Sequence, residues 1–309
     1  MKLKLSFYIF AIIACCGANA QDIELDNALR ETYMNCVGID DALHDMKVKA
    51  GISTAVTGVG TGLGVGAVAT GIAKAKTDAT LQQKFTELKD LAYSANGQYE
   101  EADKEQFKNR AKKRLSRGVV DSIPAEQNEE IKELTAKSKK LGNWRTGLMV
   151  GNTATNIAGA AISGTNKVNK TLEEQIDNCK ISVKTLKNEI TRAKFEGMDV
   201  SEARKIASAC DGFEYIDLSK IDNRAKGGMT SSIVGAGTGV VGTITSALAN
   251  SNKVRNQDSA KEKTLNTSAN VLAVGSTVAS ATATAFNAAQ IKAIKDIAEI
   301  ASKCTGVLK

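Results

Sequence analysis

Four long stretches of the chain carry no charged residue and consist mainly of glycine, alanine, serine, threonine and valine. They run over residues 50–73, 146–166, 227–252 and 264–291 and are 24, 21, 26 and 28 residues long. Small residues recur in them at every fourth position, and positions i and i+4 share one face of a helix. The pattern predicts four helices, each with a face that lacks bulky side chains.

Glycines on such faces let two helix backbones approach closely, as small-xxx-small motifs do. Glycine weakens an isolated helix by about 1 kcal/mol relative to alanine, so each helix needs a packing partner. We expect the first stretch to pack on the second, around 147–159, and the third on the fourth, around 273–285. The candidate packing residues are Gly58, Gly62, Gly66, Gly147, Gly151, Gly159, Gly235 and Gly239.

Amphipathic helices are predicted beside the uncharged stretches. One seam has alternating spacings of four and three, typical of a coiled coil; it comprises Leu172, Ile176, Cys179, Val183, Leu186, Ile190 and Ala193. A charged insert at about 77–141 also has helical patterning, and alternating strand-like runs are not found. The predicted fold is all-α: an elongated bundle of coiled-coil hairpins packed through small residues.

The two halves of the chain resemble each other, which indicates an internal duplication. In each half one cysteine precedes a small-residue stretch, a polar link follows, and a second cysteine comes after the next small-residue stretch. We therefore predict a first helical repeat at 21–195, which contains the charged insert, and a second at 196–309.

The first 20 residues have the pattern of a secretory signal peptide. Lys2 and Lys4 precede an apolar run at 6–16, and Ala-Asn-Ala at 18–20 supplies the small residues that signal peptidase requires. The apolar run is shorter than the ~20 residues that span a bilayer. An alternative is a lipobox in which Cys15 is acylated. We expect export to a bacterial periplasm, envelope or exterior.

Cleavage after residue 20 leaves four cysteines, Cys36, Cys179, Cys210 and Cys304, and lowers the net charge from +7 to +5. Four cysteines in an exported chain indicate two disulfides, with four buried thiols as the alternative. If each repeat is an antiparallel hairpin, its two cysteines return to the same end, which favours Cys36–Cys179 and Cys210–Cys304. The competing connectivity is Cys179–Cys210 with Cys36–Cys304, through a hairpin at 180–209.

Candidate chemistry is sparse. The chain has one histidine, His44, so histidine triads and multi-histidine metal sites are excluded within one chain. The GxGxxG pattern at 237–242 lies inside a predicted helix rather than after a strand, where dinucleotide binding requires it. No nucleophile–base pair follows from residue spacing. We expect no enzymatic activity, no cofactor, no metal and no small-molecule substrate.

One segment of the charged insert is strongly basic and follows an acidic run at 100–105. Such a segment is either a solvated helix or a contact for an anionic surface. Aromatic residues do not interleave with it, which disfavours nucleic acid. The candidate surface residues are Lys108, Arg110, Lys112, Lys113, Arg114 and Arg117.

The sequence favours an exported, non-enzymatic helical protein that acts through helix–helix or envelope-surface contacts, with a protein partner or self-association. The alternative is a membrane-active protein that inserts its uncharged hairpins into a bilayer. These stretches resemble the glycine-zipper segments of bacterial envelope proteins and pore-forming helices, a likeness of composition alone. Their length favours insertion, whereas Asn152, Asn156 and Asn287 disfavour it because polar side chains are costly in a bilayer.

Overall fold

A computed structural model describes residues 23–95, 125–257 and 259–308. It is 93% helical with no strand among those residues, which confirms the all-α prediction. The helices are α1 (Ile23–Cys36), α2 (Ile39–Ala95), α3 (Ala125–Thr165), α4 (Lys170–Phe195), α5 (Ser201–Cys210), α6 (Ser219–Ala249), α7 (Asn252–Gln257) and α8 (Ser259–Leu308), with a 3-10 helix at Asp211–Tyr215. The predicted signal peptide and the basic residues at 108–117 lie outside the described residues.

The helices form two compact units, and each unit takes segments from both predicted repeats. Unit 1 comprises the described parts of 1–45, 168–218 and 294–309, and unit 2 those of 46–167 and 219–293. The internal duplication itself stays a prediction.

Unit 1 has a conventional apolar core in which α1 and α5 pack against α4. The seven seam residues predicted on α4 are all buried, together with Ser182. Asn169 caps the start of α4, since its side chain accepts a hydrogen bond from the backbone N–H of Leu172 at 2.7 Å. Gly197 ends the helix with a positive φ of 80°, a conformation that glycine adopts without strain.

Two disulfides lie in unit 1, and their connectivity is the one that repeat symmetry favours. Cys36 is bonded to Cys179 with a Cα–Cα distance of 4.9 Å, and Cys210 to Cys304 with 4.4 Å. All four residues are fully buried. The competing Cys179–Cys210 pairing is therefore wrong, and the 180–209 hairpin turns at Gly197 without that bond.

Unit 2 is an antiparallel assembly of α3, α6 and the parts of α2 and α8 that belong to it. On α6 and α3, contacting residues have rising numbers on one helix and falling numbers on the other, so the two helices run in opposite directions. Gly235 lies against Asn156, and Gly239 lies against Thr153. Buried positions alternate spacings of four and three on each helix. On α6 they are Ile221, Ala225, Gly228, Ser232, Gly235, Gly239, Gly242, Ser246 and Ala249.

Candidate functional site: a polar core and an apolar exterior

The core of unit 2 is predominantly polar, unlike the apolar core of unit 1. Serine, threonine, asparagine and glutamine side chains occupy most of the inward positions that are not glycine or alanine. The buried polar residues include Ser53, Thr57, Asn152, Asn156, Ser163, Asn166, Ser246, Ser276, Ser280, Asn287 and Gln290. A buried polar group is costly unless it is hydrogen-bonded, so the partners of these side chains decide whether the core is stable.

One polar layer is a closed ring of hydrogen bonds that joins three helices. Asn287 on α8 donates from Nδ2 to Ser53 Oγ on α2 at 2.9 Å. Ser163 Oγ on α3 lies 2.8 Å from Ser53 Oγ and donates to Asn287 Oδ1 at 3.0 Å. The amide of Asn287 thus uses both its donor and its acceptor inside the bundle.

A second polar layer joins α3, α6 and α8. Asn152 donates from Nδ2 to Ser276 Oγ at 3.0 Å, and Ser276 Oγ donates to the Gly235 carbonyl at 2.8 Å. Ser280 Oγ lies 3.0 Å from the amide oxygens of both Asn152 and Asn156. A small apolar layer of Ala67, Met149 and Ala273 follows toward the far end of the unit.

Arg145 occupies the next layer and is 1% exposed. Its guanidinium donates to Ser246 Oγ on α6 at 3.0 Å and, on α8, to the amide oxygens of Asn270 at 2.9 Å and Asn266 at 3.2 Å. Burial lowers the pKa of Arg145 to about 10, which Asp78 partly counteracts. The group stays charged at neutral pH, and hydroxyl and amide oxygens rather than carboxylates supply its direct contacts.

Lys74 closes this end of the core. Its ammonium group, 1% exposed, lies 2.6 Å from Asp78 and 3.3 Å from Glu262 on α8. Ser138 on α3 also donates to Asp78. Each buried cation in unit 2 therefore meets oxygen acceptors from at least one other helix.

The glycines that face a neighbouring helix in α2 differ from those predicted. A β-carbon added at Gly58 or Gly62 meets no atom within 4 Å, so these two predicted packing positions are wrong. Gly66 lies only at the edge, near Leu148. The close approaches occur instead at Gly60 and Gly64: a β-carbon at Gly60 overlaps Thr155, and one at Gly64 lies 3.0 Å from Cβ of Thr277.

The error has a geometric cause. Successive steps of four residues turn about 40° around a helix, so an every-fourth stripe moves off the contact face. The buried line on α2 alternates steps of four and three and therefore stays on that face. It comprises Ser53, Thr57, Gly60, Gly64, Ala67, Gly71 and Lys74.

The remaining predicted glycines divide in the same way. Gly147 on α3 has no neighbour within 4 Å and is also not a packing position. Gly151 lies against Leu63, and Gly159 against Thr57 and Ser232. Gly235 and Gly239 contact α3 as well as the predicted region of α8, through Asn156, Thr153 and Ser276.

The outer surface of unit 2 is rich in valine, isoleucine and leucine. Many of these side chains, on all four long helices, point away from the polar layers with exposed fractions between 51% and 65%. They include Ile52, Val59, Val65, Ile72, Val150, Ile157, Val234, Val241, Leu248, Val271 and Val278. By length and composition, three helical spans are apolar enough to cross a membrane: Ile23–Leu88, Ser219–Ala249 and Ala260–Leu308.

Sequence reasoning missed the polar core, although a signal for it is present. Asn152, Asn156 and Asn287 counted against a membrane role because each was treated as a lipid-facing side chain. They lie on the buried lines with four–three spacing, where serine and glycine also recur. A search for polar and small residues at alternating steps of four and three, instead of for apolar residues, would have identified the core.

Other site types have little support in the described residues. A shallow depression of about 470 Å³, open to solvent, is lined by Asn143, Trp144, Gly147 and Leu148. Within the described ranges, no group of three or more histidine, cysteine or acidic residues is arranged to hold a metal ion. Comparison with known protein families, curated proteins and solved structures finds no match to this chain.

Proposed function

We propose that this chain is an exported, non-enzymatic helical protein whose unit 2 inserts into a lipid bilayer. The observation that carries the proposal is the inverted polarity of unit 2: Asn287 and Ser163 lie inside with their hydrogen bonds made, while Val234 and Val271 lie outside. A water-soluble bundle with these side chains has the opposite arrangement, because burying apolar surface is the main driving force for folding in water.

A bilayer favours the arrangement that unit 2 has. Hydrocarbon offers no hydrogen bonds, so polar groups inside a membrane turn toward the bundle interior and pair with one another. Small residues bring membrane helices close enough for such bonds. Gly235 fits this role, because its carbonyl accepts from Ser276 at 2.8 Å and a side chain there would overlap Asn156.

The length of the uncharged region also fits. Stretches of 21–28 residues extend about 31–42 Å as helices, against about 30 Å for the hydrocarbon core of a bilayer. Charged residues bound each stretch on both sides, for example Lys49 before the first and Lys74 after it.

The finer features of the fold belong to the same proposal. We interpret the four–three spacing as coiled-coil hairpins packed through small residues, and the two halves as an ancient duplication. The signal peptide at 1–20 delivers the chain to the bacterial periplasm, envelope or exterior. Disulfides such as Cys36–Cys179 fit that oxidising location.

A second candidate function is assembly with another helical protein or with further copies of this chain. It is favoured by the seven-residue recurrence of outward apolar residues, as in Val234, Val241 and Leu248 on α6. Such a line forms a second seam on which another helix packs. In this alternative, protein rather than lipid covers the apolar exterior.

The test is vesicle flotation and dye release with the mature protein. We expect it to float with vesicles and to release dye, and we expect V234Q/V241Q/L248Q to lose both because polar side chains then face lipid. The control T80Q/T86Q/T135Q introduces the same glutamines at exposed threonines of α2 and α3 outside the uncharged stretches and should behave as wild type. Failure of the wild type to float, with a stable oligomer in sedimentation analysis, would favour the second candidate.

A further inference from the structure

One end of unit 2 is fixed by hydrogen bonds that bring four chain segments to the same level. Asn166, just after α3, donates from Nδ2 to the Met46 carbonyl on α2 at 3.1 Å. Gln290 on α8 donates from Nε2 to the Asn166 carbonyl at 2.8 Å. Arg224 on α6 donates to the Ala289 carbonyl at 2.5 Å.

Cationic residues cluster around this level. Each lies within three residues of a hydrogen-bonded residue named above, which corresponds to about 5 Å or less along a helix. We term this set the cationic collar: Lys47, Lys49, Lys167, Arg224, Lys226 and Lys292. The unit 2 segments described at this level contain one acidic residue, Asp222.

The opposite end of unit 2 differs in charge arrangement. There the buried ammonium group of Lys74 contacts two carboxylates, those of Asp78 and Glu262. Exposed lysines such as Lys76 and Lys137 lie near that end too, but acidic residues are interspersed with them. In the collar Lys47, Lys49, Lys226 and Lys292 are exposed to solvent, and Asp222 is the one acidic residue in the unit 2 segments described there. The two ends that bound the uncharged region are therefore electrostatically unequal.

We propose that the cationic collar binds the phosphate groups of anionic phospholipids. This inference rests on the proposed function, because it places the collar at the surface of the bilayer that unit 2 enters. Ile52, an outward apolar residue of α2, lies only three positions beyond Lys49, as the boundary between hydrocarbon and headgroups requires. Lysine and arginine side chains reach from such a boundary toward phosphate.

Anionic lipid fits the collar better than a nucleic acid does. The collar adjoins an apolar band on the four long helices of unit 2, which a membrane covers and a duplex does not. The described residues at this level include one aromatic side chain, Phe286, whose ring packs against Gly227, whereas single-stranded nucleic acid stacks its successive bases on several such rings. A basic side chain near an anionic bilayer strengthens binding by about fivefold.

The experiment compares the mature protein on vesicles of phosphatidylcholine alone and of phosphatidylcholine mixed with phosphatidylglycerol. The collar variant is K47Q/K49Q/K226Q/K292Q. The control K76Q/K137Q/K139Q/K140Q removes the same charge from exposed lysines near the other end of unit 2. Circular dichroism and melting curves establish that both variants fold as the wild type does.

We expect the wild type and the control variant to prefer anionic vesicles, and the collar variant to bind them at least about 100-fold more weakly. An equal loss of affinity for anionic vesicles in both variants would overturn the collar as a binding site, because net charge alone would then explain the weaker binding. Tight wild-type binding to both vesicle types, unchanged in the collar variant, would overturn this inference but keep the proposed function. Binding to neither vesicle type would remove both proposals. Preference of the collar for a DNA duplex over anionic vesicles would also overturn the inference.

Discussion

Asn287 donates a hydrogen bond to Ser53, a residue 234 positions earlier in the chain, across 2.9 Å of the unit 2 core. Ser163 completes the ring with both residues. The contact joins α2 and α8, two helices that lie far apart in the sequence. The stability of unit 2 therefore depends on matched polar partners from distant parts of the chain, and single substitutions should reveal this.

Replacing Asn287 by leucine should destabilise the protein by about 1–3 kcal/mol, because Ser53 and Ser163 each lose a buried partner. Urea unfolding measures the effect. The matched control is Asn223→Leu on α6, an exposed asparagine, which should change the free energy of unfolding by less than about 0.5 kcal/mol. Equal effects at the two sites would argue against the ring.

Two neighbouring glycines of α2 should respond to alanine with opposite signs. At Gly62 a β-carbon meets open space, so Gly62→Ala should stabilise the helix by up to about 1 kcal/mol. At Gly64 the same β-carbon collides with Thr277 and approaches Asn152 to 3.0 Å. Overpacking there should cost about 1–3 kcal/mol. Melting temperatures that shift in the same direction for both variants would contradict the assignment of Gly64 to the buried face of α2 and of Gly62 to its exposed face.

Arg145→Met should be strongly destabilising although methionine is apolar and of suitable length. The substitution leaves the amide oxygens of Asn266 and Asn270 without the guanidinium donor, at about 1–3 kcal/mol for each unsatisfied group. The triple variant R145M/N266L/N270L removes donor and acceptors together and should recover part of the loss. Denaturant titration of the wild type, R145M and the triple variant tests this coupling. A triple variant that is less stable than R145M would count against it.

The Cys36–Cys179 disulfide closes a long loop, with a sequence separation of 143 residues. Changing both cysteines to alanine should cost about 2–5 kcal/mol of stability and lower the melting temperature. Reductant should then lower the melting temperature of the variant less than that of the wild type, because one of the two disulfides is already absent. Non-reducing peptide mapping of the wild type should recover a Cys36–Cys179 peptide and a Cys210–Cys304 peptide. Recovery of a Cys179–Cys210 peptide would refute the connectivity.

Parts of this fold with an ordinary apolar pattern were accessible from sequence. The buried line of α4, from Leu172 to Ala193, follows directly from its apolar spacing. The pairing of Cys36 with Cys179 is the one that the predicted repeat favours. A glycine two residues after a cysteine is not by itself a helix end: Gly38 adopts a positive φ of 94° just after α1, whereas Gly212 and Gly306 both lie within helical structure.

The inward face of the unit 2 helices was not accessible in the same way. A hydrophobic pattern identifies the inside of a helix only when apolar side chains go inside, and here Val59 and Val241 point outward while Thr57 and Ser246 are buried. The every-fourth glycine stripe through Gly58 and Gly62 was regular in sequence but lay off the contact face.

The sequence alone determined that the chain is helical and where its uncharged stretches begin and end. These properties depend on local propensity and on residue type. Tertiary structure decided which side of each stretch is buried, because small side chains on every side leave a helix without a strong apolar face. That choice depends on whether Asn152, Asn287 and Arg145 find partners on other helices, 101 to 234 residues away, and only the packed bundle supplies them.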